Sequence, residues 1–190
     1  MPENVVPEPW SSFLDELDTK LNGKLVEPIS LECVGGFVIT LLYGLARPTS
    51  DIDVIEVAPS DQARTLIDIA AEGSAMYKKH KLYIDLMGGI VTLPEDYKTR
   101  LQPMFHGRFR NLRFFALDSY DIALSKIGRN IERDREDISY LAEKAPFDLD
   151  TLKKRYFKEL RPYVVEPIAQ RYDTTLNLWI DMIEEQRRAG

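Results

Sequence analysis

The chain has 190 residues, of which 44% are hydrophobic and 29% are charged, so it can bury a substantial core in one or two domains. Its net charge of -6 excludes binding to a polyanion by bulk charge alone. A single cysteine excludes an internal disulfide and a thiolate zinc cluster, and no run approaches a membrane span, so we expect a cytoplasmic protein with no membrane partner.

The N-terminal half predicts alternating helices and strands. Residues 10–21 have helical apolar spacing, with Ser11 or Ser12 placed to cap the start. The spacing then predicts strands at 31–34 and 52–57, helices at 37–45 and 60–71, and a hairpin whose arms are 75–80 and 82–88. This order indicates an α/β (α+β) fold with a small mixed sheet.

The apolar residues of the C-terminal half recur with the spacing of an α-helix. Asp118 is a candidate N-cap, and further helices are predicted at about 132–144, 148–161 and 166–188. We therefore predict an α/β module over 1–95 and a mainly helical C-terminal module over 96–190.

Three aspartates form the first candidate site. Asp51 and Asp53 are two apart on a predicted strand and share one of its faces, where two carboxylates repel each other unless a cation lies between them. Asp85 alternates with core residues and would join them if its strand pairs beside 52–57. The alternatives are a turn at the start of the strand for the pair and a solvent-facing position for Asp85.

A glycine pair precedes the predicted helix at 37–45. Gly35 and Gly36 would let backbone amides approach a phosphate that a β-carbon would exclude, and the helix start adds partial positive charge. The pair could equally serve only as a tight turn between strand and helix.

The spacing of Val34-Gly35-Gly36, Arg47, Thr49, Asp51 and Asp53 resembles the nucleotidyltransferase superfamily with the polymerase-beta-like fold, in the branch of minimal nucleotidyltransferases related to AbiEii toxins. The segment 117–143 is similar to that branch's second signature, a lysine-bearing helix followed by R-D-x-x-D. The resemblance covers residues 31–143. Phe37 departs from it, since many active members have serine there.

The resemblance implies roles for these residues. Asp51, Asp53 and Asp85 would be the catalytic, metal-binding carboxylates, for Mg²⁺ or Mn²⁺. The nucleotide-binding residues would be Gly35, Gly36, Arg47, Thr49, Lys126 and Arg129. For three of these, ion pairing is an alternative: Arg47 with Asp51 or Asp53, and Lys126 and Arg129 with Asp134 and Asp137.

The implied function is transfer of a nucleoside monophosphate from an NTP to a hydroxyl of RNA, protein or a small molecule. The branch further implies a bacterial toxin of a toxin–antitoxin or phage-defence system, with an antitoxin partner. The alternative is an inactive nucleotidyltransferase-like module that binds a partner protein.

Basic charge is concentrated in residues 98–135, which carry a net +5. This stretch also contains four phenylalanines interleaved with arginines: Phe105, Phe109, Phe114 and Phe115. Such rings either stack on nucleic-acid bases or, more often, pack in the hydrophobic core. We expect exposed loop positions for His80 and His106, and a buried strand position for Cys33.

Overall fold

The computed structural model describes residues 6–87, 89 and 91–189. The chain divides into two units, one formed by residues 1–89 with 101–116 and the other by 90–100 with 117–190. Residues 101–116, which the sequence-based division assigns to the C-terminal module, thus belong to the first unit. They supply two strands to its sheet.

The first unit contains four α-helices, one short 3-10 helix (Ser60–Gln62) and five strands in its described residues. In chain order the α-helices and strands are α1 (Trp10–Leu21), β1 (Ile29–Val34), α2 (Gly35–Tyr43), β2 (Asp51–Ala58), α3 (Ala63–Ala70), α4 (Ala75–His80), β3 (Tyr83–Leu86), β4 (Gln102–Met104) and β5 (Leu112–Ala116). The sheet order is β3-β2-β1-β5-β4. Because β1 pairs antiparallel to β2 but parallel to β5, the sheet is mixed, and the predicted α+β class is confirmed.

One face of the sheet forms the hydrophobic core. Leu31, Cys33, Ile52 and Val54 are fully buried on this face, as expected from the alternating pattern and from the predicted position of Cys33. The α1 stripe of Phe13, Leu14, Leu17 and Leu21 is also fully buried.

An aromatic cluster completes this core. Phe105, Phe109 and Phe114 are buried, and their rings contact one another with centroid distances of 5.7 to 6.2 Å. The core interpretation of these three rings is therefore confirmed. They cannot stack on bases, and His106 between them is exposed as expected.

The first arm of the predicted hairpin was wrong, because residues 75–80 form helix α4 and not a strand. The Ser74 hydroxyl caps this helix by accepting from the Tyr77 amide at 3.1 Å, and Lys81 ends it in the left-handed conformation. His80 is half-buried, not on an exposed loop, and lies 2.8 Å from Glu16.

The start of α1 also differs from the prediction. Pro9 occupies the N-cap position. The hydroxyls of Ser11 and Ser12 do not cap the helix but donate to the Glu8 carboxylate at 2.5 and 2.8 Å.

The second unit is helical, as predicted. A short 3-10 helix, Tyr97–Arg100, is followed by α5 (Ser119–Ser125), α6 (Glu132–Lys144), α7 (Leu149–Arg155) and α8 (Ile168–Ala189). Asp118 caps α5 by accepting from two backbone amides, which confirms that prediction. The helix predicted to reach 161 continues past α7 as a π-helical turn, Tyr156–Leu160, and a 3-10 turn, Arg161–Tyr163.

Buried ion pairs organise the start of α5. Asp121 is fully buried and accepts from Arg100 at 3.0 Å and from Arg155 at 3.0 Å. Burial, together with the charge of Asp118, raises the pKa of this carboxyl and outweighs the opposing effect of the two arginines. Among the described residues, no helix is both long and apolar enough to cross a membrane.

Candidate functional site

The face of the sheet opposite the core carries the predicted aspartates. Asp51 and Asp53 project from it because Ile52 and Val54 project into the core. Strand β3 pairs parallel to β2, and Asp85 is the direct register partner of Asp53. Residues paired in this way share a face, so the predicted pairing of the Asp85 strand with β2 is confirmed and places Asp85 beside Asp53, although the pairing strand begins after a helix and not a hairpin turn.

Two further carboxylates lie on the same face and were missed by the sequence reasoning. A β-bulge at Ile55 shifts the register, so that Glu32 lies opposite Glu56 while Val34 lies opposite Asp53. The bulge adds one residue to β2, which allows Asp53 and Glu56 to share a face although they are three apart. The alternation of Glu32 with Leu31 and Cys33 was the available signal.

Gly35 lies against the Asp53 carboxylate. Its φ of +78° is in the left-handed region, and a β-carbon built on it would lie 2.1 Å from Asp53 Oδ2. Only glycine fits both conditions without a shift of the aspartate. Gly35 therefore brings the backbone of the turn into contact with the acidic face.

Helix α2 begins directly at Gly35. The residue before it, Val34, is extended and has no polar side chain, so it offers no cap to the first-turn amides. These amides and the helix dipole produce positive potential beside the aspartates.

Thr49 and Tyr83 lie close to the carboxylates. The Thr49 hydroxyl donates to Asp51 Oδ1 at 2.8 Å and restricts its rotamer. Tyr83 is the register partner of Asp51. Burial raises the pKa of the Tyr83 phenol, and the charges of Asp51, Glu72, Asp85 and Asp53 raise it further, as expected for a phenol in negative potential.

The chemical groups on this face are of the kind that bind a hard divalent cation. They are carboxylates from the adjacent strands β2 and β3, beside the Gly35 backbone, where a β-carbon would clash with Asp53. Within the described residues, however, no three His, Cys, Asp or Glu side chains converge closely enough to hold an ion. The role of Asp51, Asp53 and Asp85 as metal ligands remains a prediction.

Phe37 follows the glycine pair and packs in the core. It is fully buried and meets Trp10 edge-to-face at a centroid distance of 4.9 Å, with Phe105 and Phe114 at 6.5 and 6.4 Å. Its ring therefore packs in the core and does not fill the space beside the Asp53 carboxylate.

Lys126 and Arg129 form ion pairs within the second unit. Lys126 is buried, with Nζ 3.4 Å from Asp134 and 3.1 Å from Asp137. Arg129 donates twice to Asp134, at 2.9 and 2.6 Å, while its side chain remains 59% exposed. Burial tends to raise the pKa of the Asp134 carboxyl, but these cations lower it overall, so the predicted anchoring is confirmed.

A strand, a diglycine helix start and a strand bearing D-x-D, with a third aspartate paired to its second aspartate, form the pattern that resembles nucleotidyltransferases. The chain belongs to the family described as nucleotidyltransferase of unknown function, DUF6036, whose family profile matches residues 14–187. It is similar to the crystal structure of JHP933 from Helicobacter pylori, at 16% identity over 94% of each chain and a TM-score of 0.39. Comparison with curated proteins gives no match.

Proposed function

We propose that this protein is a metal-dependent nucleotidyltransferase that transfers a nucleoside monophosphate from an NTP to an acceptor hydroxyl. The observation that supports it best is the contact between Gly35 and Asp53, with Asp85 as the register partner of Asp53. This arrangement sets backbone amides next to carboxylates, which is what a cation–triphosphate complex requires.

In this proposal the backbone at Gly35 and Gly36 and the start of α2 bind the triphosphate. Asp51, Asp53 and Asp85 would hold Mg²⁺ or Mn²⁺, which supplies charge neutralisation and activation of the hydroxyl. Thr49 keeps the Asp51 carboxylate in place through its hydrogen bond.

The transfer itself is an in-line displacement. A bond forms between the acceptor oxygen and the α-phosphorus as the bond to pyrophosphate breaks, and the hydroxyl proton passes to a carboxylate or to water. The contribution of Arg47, Lys126 and Arg129 to nucleotide binding, implied by the resemblance, remains a prediction.

The biological setting belongs to the proposal as well. In this proposal the protein is a cytoplasmic toxin that modifies RNA, protein or a small molecule, and it has an antitoxin partner. This role rests on the family resemblance alone.

The test is label transfer from each α-³²P-NTP in the presence of Mg²⁺ or Mn²⁺ and total RNA or protein extract. We expect Asp53→Asn to reduce transfer by about a hundredfold or more. The matched control is Asp61→Asn, which removes the same charge at an exposed position in a 3-10 turn of the first unit and leaves transfer unchanged. Equal transfer by both variants would exclude the proposed site.

A second candidate is a nucleotidyltransferase-like module that binds a partner without turnover. Two observations favour it: Phe37 replaces the serine of many active members, and no three ligating side chains converge in the described residues. Absence of label transfer with every nucleotide, together with no metal-dependent thermal shift, would support this candidate over the enzyme.

A further inference from the structure

A cavity of about 450 Å³ lies at the β3 edge of the sheet, and its volume is within the range of about 300–1,000 Å³ that small-molecule sites have. Asp85 lines this cavity and is also the register partner of Asp53, so the cavity adjoins the carboxylate face. Its walls come from α3, the two residues after α3, and β3, and they include Ile67, Ala71, Glu72, Tyr83, Asp85 and Leu86.

The sheet order places this cavity on one side of Asp53 and the glycine pair on the other. Strand β2 lies between β1 and β3, and Gly35, which directly follows β1, lies against the Asp53 carboxylate. In the proposed function the triphosphate binds at the glycines, so pyrophosphate leaves on the β1 side of Asp53. An in-line displacement requires the attacking oxygen to approach from the opposite side. That side is the β3 side, where the cavity lies.

The surroundings of the cavity favour a compact occupant. Ile84, in the middle of β3, is only 1% exposed, so an extended polypeptide cannot pair with the backbone of this strand. Ile67 and Leu86 supply an apolar wall. The Tyr83 ring adds an aromatic surface, and it is held by an edge-to-face contact with Tyr77 at a centroid distance of 5.6 Å. A small molecule with an apolar body fits these walls.

Carboxylates give this cavity a negative potential. The pKa of the Tyr83 phenol is raised by burial and further by the charges of four neighbouring carboxylates: Asp51, Glu72, Asp85 and Asp53. An acceptor rich in phosphate, such as RNA, would be repelled here, whereas a cationic amine would be attracted. Since the three aspartates are assigned to the metal in the proposed function, the exposed Glu72 is the lining carboxylate left for an amine.

We propose that this cavity is the acceptor site of the transfer reaction and that it binds a small hydroxylated amine, a compact molecule with a hydroxyl group, an apolar body and a cationic amine. The acceptor role rests on the proposed function. The amine binds Glu72, the apolar body packs on Ile67 and Leu86, and the hydroxyl lies towards Asp53. The acceptor oxygen forms a bond to the α-phosphorus, the bond from this phosphorus to pyrophosphate breaks, and the hydroxyl proton passes to a carboxylate or to water.

The first test measures binding of three probes of similar shape. Tyramine, tyrosol and 4-hydroxyphenylacetate share a phenol hydroxyl and an apolar ring, and they end in a cationic, a neutral and an anionic group. Binding to the full chain is measured by ligand-observed NMR titration in metal-free buffer at about 0.15 M salt. We expect tyramine to bind most tightly and 4-hydroxyphenylacetate to bind at least about tenfold more weakly, because it places like charges in the cavity.

Variants of Glu72 separate the cavity from general surface charge. Glu72→Gln should weaken tyramine about threefold to fivefold, as expected for loss of an exposed ion pair. The matched control is Asp68→Asn, which removes the same charge at an exposed position of α3 outside the cavity and should leave binding unchanged. Glu72→Lys should reduce the preference for tyramine over 4-hydroxyphenylacetate by at least about tenfold.

The second test measures transfer from each α-³²P-NTP to the same three probes in the presence of Mg²⁺. We expect tyramine to be labelled fastest. Glu72→Gln should raise the KM for tyramine about threefold to fivefold and leave kcat unchanged, because the amine that Glu72 binds is remote from the reacting oxygen.

Three results would overturn the assignment of the acceptor and leave the proposed function intact. They are labelling of RNA or protein without labelling of tyramine, equal binding of the three probes, and equal weakening of tyramine binding by Glu72→Gln and Asp68→Asn. The absence of labelling with every nucleotide and every acceptor, including RNA and protein extract, would instead refute the proposed function, and the acceptor role would be lost with it.

Discussion

Replacing Gly35 by alanine tests whether the close approach to Asp53 matters. The φ of +78° alone costs an L-residue about 1–2 kcal/mol. The new β-carbon would also lie 2.1 Å from Asp53 Oδ2, so the carboxylate must rotate away at a further cost of about 0.5–1.5 kcal/mol. We expect Gly35→Ala to reduce the free energy of unfolding by about 1.5–3.5 kcal/mol.

Gly23 provides the matched control. Its φ is +73°, and a β-carbon there meets nothing within 4 Å. Gly23→Ala should therefore cost only the backbone part, about 1–2 kcal/mol, in the same urea titration. The difference between the two variants measures the contact with Asp53.

A double-mutant cycle isolates that contact. In an Asp53→Ala background the nearest remaining atom is the β-carbon of residue 53, at 3.5 Å, which is ordinary contact. Gly35→Ala should then cost no more than Gly23→Ala. If Gly35→Ala costs the same with and without the Asp53 carboxylate, the close approach has no energetic consequence and the reasoning is refuted.

Three other predictions concern urea unfolding. Phe37→Ser should cost about 3–5 kcal/mol, because the ring fills the core. Lys126→Met should cost about 3–5 kcal/mol, since it removes a buried ammonium group that lies 3.4 Å from Asp134 and 3.1 Å from Asp137. Hydrogen bonds from Lys79 and a neighbouring histidine lower the pKa of Glu16 from 4.5 to about 2, so its stabilisation is present above pH 4.5 and is lost as pH falls towards 2. Glu16→Gln should make the acid loss of stability shallower.

Each of these three predictions would be contradicted by a specific result of the urea titrations. A Phe37→Ser protein as stable as the parent would show that the ring is not a core residue. Arg129→Met should cost less than Lys126→Met, because the arginine is 59% exposed, and the reverse order would contradict the burial argument. Parallel stability–pH curves for the parent and Glu16→Gln would show that the pKa of this carboxyl does not differ between the folded and unfolded states.

Local sequence signals were sufficient to predict the residues at the centre of the candidate site. The alternation in β2 assigns Asp51 and Asp53 to one face, and the glycine pair marks the start of α2. Both depend on residues close in sequence. The same holds for the Asp118 cap, which is formed by amides two and three residues away.

Features that depend on distant residues were not predictable in this way. Strand β5 pairs with β1 across about eighty residues of chain, so nothing local to Leu112–Ala116 marks it as a neighbour of Ile29–Val34. The bulge at Ile55 depends on the register between β1 and β2. Residues 75–80 were predicted as a strand, but they form a helix whose first turn the Ser74 hydroxyl caps.

The parallel pairing of β1 with β5 also constrains the order of events during synthesis. Residue 29 leaves the ribosome long before its partner, residue 112, so the middle of the sheet cannot close until residues 112–116 have emerged. Until then the apolar edge of β1 is open to chaperones or to wrong partners. Translation speed through residues 90–116 is therefore expected to influence the yield of native protein.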